Sequence, residues 1–175
     1  EIEQTHSQLL KSIHYARRIQ EAFLSEPRAL SGTVPELAVR WEPLNVVGGD
    51  YYWLANLDHR SLIMIADCTG HGVPGALLTM VLAAAIEGIV SEGRQLEPAA
   101  ILRELDEQVR TRLRQDQPDA LSDDGLDAAI CIYDSRTATL LYAVSGIPLL
   151  FHTNGEMREI RATPASLGYR TVKPK

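Results

Sequence analysis

The chain has 175 residues, 45% hydrophobic and 23% charged, the composition of an ordinary folded domain rather than a disordered segment. A net charge of −6 argues against a broad nucleic-acid surface, which needs clustered Lys and Arg. Two cysteines, Cys68 and Cys131, build no disulfide framework and suit a reducing cytoplasm.

Residues 2–24 lack Gly and Pro, and Ile2, Leu9, Ala16 and Phe23 recur every seven residues, a helical stripe widened by Leu10, Ile13 and Ile19. Residues 1–25 thus read as an N-terminal linker helix, either packed on its own domain or serving as a signalling or dimerising segment. A Pro- and Gly-bearing linker follows, then a domain spanning 36–175. Strands are expected at Glu36–Pro43, Gly49–Ala55 and Ser61–Asp67. The apolar run beginning at Val73 carries Pro74 where a first helical turn accepts it, and reads as a core helix too short to span a bilayer. An amphipathic helix is expected over Glu97–Arg114. Further strands follow near Leu126–Tyr133, Thr137–Val144 and Pro148–His152, with Asn154-Gly155 as a hairpin turn. Cys131 falls in an apolar strand and reads as core. Clustered strands with short connections imply antiparallel pairing and an α+β class.

Two acidic motifs stand out: Val47-Gly48-Gly49-Asp50-Tyr51-Tyr52 and Ala66-Asp67-Cys68-Thr69-Gly70-His71-Gly72. If the hairpin between them turns at Asp58-His59, Asp50 falls directly opposite Asp67, with Cβ atoms about 4.5–5.5 Å apart. Two facing carboxylates need a shared proton or a cation between them, and hard oxygen ligands suit Mg²⁺ or Mn²⁺.

The two motifs together resemble those of bacterial PPM-type serine/threonine phosphatases of the SpoIIE/RsbU-like branch. The resemblance continues through Gly125-Leu126-Asp127-Ala128, the Leu141–Leu150 strands and Ala165-Ser166-Leu167-Gly168-Tyr169. It implies an α/β/β/α sandwich, two antiparallel sheets flanked by helices, and two Mn²⁺ or Mg²⁺ ions with a third as an option. Asp67 would bridge the ions, Asp50 would help hold one, the Cys68 backbone carbonyl would complete a position, and Asp127 is a further candidate ligand. His71 is a candidate general acid for the leaving oxygen, with a purely hydrogen-bonding role as the alternative. Implied substrates are phosphoserine or phosphothreonine proteins, commonly small regulators resembling anti-sigma-factor antagonists. The N-terminal helix resembles those joining such domains to membrane-bound sensor segments in SiaA-like proteins. That implies a cytoplasmic domain of an inner-membrane-anchored protein, with a homodimer through this helix as one option.

The pattern also departs from the family. Its usual downstream acidic motifs, a [ST]-D-G turn and a D-D-x-[ST]-like strand, do not occur before Lys175, so the C-terminal part of the domain is expected to be missing from this sequence. Val144-Ser145-Gly146-Ile147-Pro148 stands where relatives often carry an AGHNP-like stretch. A catalytically degenerate binding module is therefore a second reading. Gly70–Gly75 also fits the spacing of a dinucleotide-binding loop, but a second helix rather than a strand is expected next. Cys68 lacks the arginine a cysteine phosphatase loop needs, since Pro74 stands there. Gly48-Gly49-Asp50 lacks the acid and aromatic that would follow in a nucleotide cyclase of the GGDEF type.

Overall fold

A computed structural model describes residues 2–30, 32–34, 36–91, 97–162 and 164–170. The chain forms helix α1 (Ile2–Ala22) and a short 3-10 turn (Pro27–Leu30), then strands β1 (Asp50–Leu57) and β2 (Arg60–Cys68). Helices α2 (Gly72–Ser91) and α3 (Pro98–Arg112) follow, then strands β3 (Leu126–Asp134), β4 (Thr139–Ser145), β5 (Leu149–Thr153) and β6 (Glu156–Ile160). The mixed helix and antiparallel-sheet class is the one expected, and the N-terminal helix is present.

Strands β1 to β4 form one antiparallel sheet in sequence order, and β5 and β6 form a separate two-stranded sheet. Alternation fixes which face of the large sheet is covered. Tyr51 and Trp53 of β1, Leu62, Met64, Ala66 and Cys68 of β2, and Leu126, Ala128, Ile130 and Ile132 of β3 join the core. Leu82, Ala83, Ala85, Ile86 and Ile89 of α2 and Ile101, Leu102, Leu105 and Val109 of α3 complete it. Helix α2 is, among the described residues, the one helix long and apolar enough to cross a membrane. Eight of its residues are buried, and its apolar side chains enter the core shared with the sheet and α3.

Three details differ from expectation. Residues 36–43 form no strand: they alternate between exposed and half-buried but join no ladder, so β-like alternation alone did not make a sheet. Cys131 is half-buried on the face of β3 away from the helices, not in the core. Strand β4 begins at Thr139, after Ala138 turns through φ 53°. The Asn154-Gly155 hairpin is as expected, with φ 51° and 81° at its two central positions and Thr153 paired with Glu156.

Candidate metal centre

The β1–β2 ladder pairs Leu57 with Arg60, leaving Asp58-His59 as the two-residue connection, and places Asp50 opposite Asp67. Asp-His is not a favoured turn, yet tertiary contacts secure it. Asp58 takes φ 57°, and the backbone N–H and hydroxyl of Ser135 both donate to the His59 carbonyl, at 2.9 and 3.0 Å. The β2–β3 ladder then sets Asp67 opposite Asp127. Three aspartates thus occupy one rung across three strands, on the face away from the helices and at one end of the sheet.

In this rung like charges face one another on both sides of Asp67. Burial, then Asp50 and Asp127, push its carboxyl above the ordinary carboxylate range. The adjoining position on β4's side is Gly146, at φ 77°, where a Cβ would lie 1.9 Å from Asp127 Cγ. A side chain there would occupy the space of the carboxylate, so glycine makes room for it. Asp127 Oδ1 is buried and has no hydrogen-bond partner. An acceptor buried without a donor costs free energy unless a cation or water meets it.

The backbone around the rung is drawn tight. Cys68 N–H donates to the Gly49 carbonyl at 3.0 Å, and a Cβ on Gly49 would lie 2.5 Å from the Cys68 carbonyl oxygen. A Cβ on Gly75 would meet Gly70 O at 2.6 Å and Gly49 N at 2.9 Å. Gly75, one of the glycines that matched a dinucleotide-binding spacing, therefore makes room for the Gly49 backbone, and α3, not a parallel strand, follows α2. The Cys68 thiol is buried in the core and pushed up to about 12, chiefly by burial and then by Asp67 and Asp50, so it is no nucleophile.

His71 is exposed and borders two depressions that share Asp67: one also lined by Asp127, Ser166 and Tyr169, the other by Asn45 and Asp50. Asn45 Nδ2 donates to His71 Nδ1 at 3.2 Å, which places the neutral ring's proton on Nε2. Asp50, Asp67, Asp127, Cys68 and His71 are thereby gathered at one end of the sheet.

Sequence reading missed the residues that hold this end together. Trp41 Nε1 donates to the Asp50 carbonyl at 3.0 Å. The Thr69 hydroxyl donates to Gly125 O at 2.9 Å, accepts from Gly125 N–H at 3.0 Å, and lies 2.7 Å from the Tyr169 hydroxyl. Buried Gln115 donates to Asp124 O and Gly168 O at 2.7 and 2.6 Å and accepts from Asp124 N–H and Ser122. No sequence period marks such residues, because their partners lie anywhere from seven to 100 positions away.

A hard-oxygen set containing an orphaned buried carboxylate oxygen and a like-charged rung fits a divalent cation. Among the described residues, no three or more His, Cys, Asp or Glu side chains enclose a metal ion by themselves. Backbone carbonyls and water would have to complete the coordination.

The fold, with its helices packed on an antiparallel sheet, defines a phosphatase-type scaffold. Residues 57–169 match the profile of Stage II sporulation protein E (SpoIIE), and the chain belongs to that family of PPM-type, PP2C-like phosphatase domains. It is 29% identical over 108 residues to the phosphoserine phosphatase RsbP of Bacillus subtilis, covering 61% of this chain and 26% of RsbP. The SiaA PP2C domain of Pseudomonas aeruginosa superposes with a TM-score of 0.82 at 32% identity, covering 94% of this chain and 64% of that one. The SpoIIE phosphatase domain of Bacillus subtilis shares the fold at a TM-score of 0.54 and 18% identity, over 70% of this chain and 34% of that one. The chain thus spans only part of each relative.

Proposed function

We propose that this chain carries part of the active site of a protein phosphatase that removes phosphate from phosphoserine or phosphothreonine, using Mn²⁺ or Mg²⁺. The observation that carries this reading is the rung Asp50–Asp67–Asp127, with its buried, unpartnered Asp127 Oδ1. Asp67, flanked by an acid on each side, would be shared between two ions. Asp50 and the Cys68 carbonyl would hold one, and Asp127 would support a second or a third. When bound, such ions lower the pKa of a water and offset charge on phosphoryl and leaving oxygens.

The chain's own residues would do the rest. The sheet holds the carboxylates in place before any ion arrives, so the binding site is set by folding. His71, with Nδ1 accepting from Asn45, would present its Nε2–H as a hydrogen-bond donor to the phosphoryl or leaving oxygen. Giving a proton to the departing serine or threonine oxygen would require the imidazolium form, in which Nδ1 also carries a proton and the Asn45 bond is released. By the family resemblance the substrate would be a small phosphorylated regulator resembling an anti-sigma-factor antagonist, and the likeness to RsbP, a phosphoserine phosphatase, supports a phosphoserine on it. Helix α1 would connect the domain, residues 36–175, to an upstream sensor or membrane segment, placing it on the cytoplasmic side. The exposed Ile2, Leu9, Tyr15 and Ile19 of α1 suit pairing with a second copy.

A binding module without turnover is the second reading, favoured by the absence of an enclosing three-ligand set among the described residues. Mn²⁺-dependent hydrolysis of p-nitrophenyl phosphate and of a phosphoserine peptide by the intact protein separates the two. Hydrolysis abolished by Asp67→Ala supports the enzyme. Peptide binding without hydrolysis supports the module and sinks the enzyme.

A further inference from the structure

Helix α1 has one buried residue among those described, and it is a glutamine: Gln20 is 1% exposed. A helix face that meets a core ordinarily presents an apolar side chain, so a polar one needs a bonding reason. Gln20 Nε2 donates to the Gly48 carbonyl at 2.7 Å and to Thr79 Oγ1 at 3.1 Å, and its Oε1 accepts from the Gly48 N–H at 3.3 Å. Thr79, itself buried, passes its own proton to Ala76 O at 2.7 Å. One side-chain amide therefore satisfies both polar groups of one buried residue, two positions before Asp50, and ties it to α2.

The remainder of this loop is fixed from other sides. Trp41 holds the Asp50 carbonyl, and Gly49 lies against the Cys68 carbonyl. Just beyond Gln20, the Tyr51 hydroxyl donates to Phe23 O at 3.1 Å and Leu54 N–H donates to Ser25 Oγ at 2.9 Å. The chain leaving α1, at Phe23 and Ser25, is thus bonded along the first half of β1, while Gln20 holds the loop two residues before Asp50.

We infer that Gln20 is a positioning residue for the metal centre: its amide sets the Gly48 peptide, and through it the aim of Asp50 toward Asp67. This rests on the metal-dependent reading above. An apolar residue of the same length would fill the space yet leave two buried backbone groups of Gly48 without partners, and they would turn to find others. Asp50 would then meet Asp67 at a different angle, without any change to the carboxylates themselves.

The test compares Gln20→Met with Ile86→Val, a core trim in α2 at a residue outside the loop, in the intact protein. Mn²⁺ affinity is read by calorimetry, and amide exchange at Gly49 and Asp50 is read in metal-free protein. Gln20→Met is expected to weaken Mn²⁺ binding about tenfold, the lower end of what losing an outer support of a metal site costs, since Gln20 acts on Asp50 through Gly48. It is also expected to speed exchange at Gly49 and Asp50, while Ile86→Val does neither. Unchanged affinity and unchanged exchange in Gln20→Met overturn the inference, as does an equal loss of affinity in Ile86→Val. If the unaltered protein binds no Mn²⁺, the metal-dependent reading fails, and the exchange data alone decide whether Gln20 fixes the loop. Should Gln20→Met not fold, Gln20→Asn, one methylene short, gives the same readouts.

Discussion

Replacing Asp67 by Asn should make the metal-free protein more stable and the metal-loaded protein less so. Asp67 stands opposite a like charge on each side, Asp50 on β1 and Asp127 on β3. Each like-charged cross-strand pair costs roughly 0.2–1 kcal/mol, so removing the central charge should return about 0.5–2 kcal/mol. A chain of this size gains about 2–4 °C in melting temperature per kcal/mol, so a rise of a few degrees is expected. The pH dependence follows from the raised carboxyl of Asp67. A group whose folded pKa exceeds its unfolded value favours the fold at pH below the unfolded carboxylate pKa, and loses that contribution as pH rises through the folded one. Metal-free protein should therefore gain relative stability from this site on acidification, and Asp67→Asn should lack that gain. Manganese reverses the order. At about 100 times its dissociation constant an ion stabilises by about 2.7 kcal/mol, and the variant should lose most of this. Thermal melts of both proteins, with and without Mn²⁺, read all of these effects. A variant that melts lower without metal yet keeps the full Mn²⁺ response would refute the reasoning.

Gly146→Ala should displace the Asp127 carboxylate and impose a left-handed backbone on alanine, costing about 1–3 kcal/mol by denaturant titration and weakening the Mn²⁺ response. Gln115→Leu leaves the Gly168 and Asp124 backbone groups without partners. A loss of about 1–3 kcal/mol is expected, with faster amide exchange through 122–125 and 167–169. The Cys68 thiol, buried and held near 12, should resist an alkylating reagent in the native protein, whereas half-buried Cys131 should label first; mass spectrometry of the tryptic peptides gives the order.

The hairpin register was legible from one sequence feature, the polar turn at Asp58-His59; the run Leu62–Ala66 is apolar throughout, and only the structure shows Leu62, Met64 and Ala66 facing the core. A register shifted by one residue would turn Asp67 inward and these three outward. Asp127 was visible only as the acid opening a strand, since its place beside Asp67 depends on how β3 meets β2 some sixty positions later. The 36–43 segment misled because its alternation reports a half-buried surface, and a ladder needs a partner that sequence does not name. Gln20 was hidden for the opposite reason. It sits within a helical stripe that reads as apolar packing, while its bonding reaches Gly48 and Thr79. The Trp41 bond to Asp50 and the Thr69–Tyr169 contact were likewise closed off to reading along the chain.

The rung of acids has a consequence for how quickly an ion can settle. Because three strands hold the aspartates in mutual register, an arriving cation finds three acids already side by side and need not wait for these strands to order. Capture should then be governed by how fast the ion sheds its own water shell, a property of the metal, with manganese seating sooner than the more tightly hydrated magnesium.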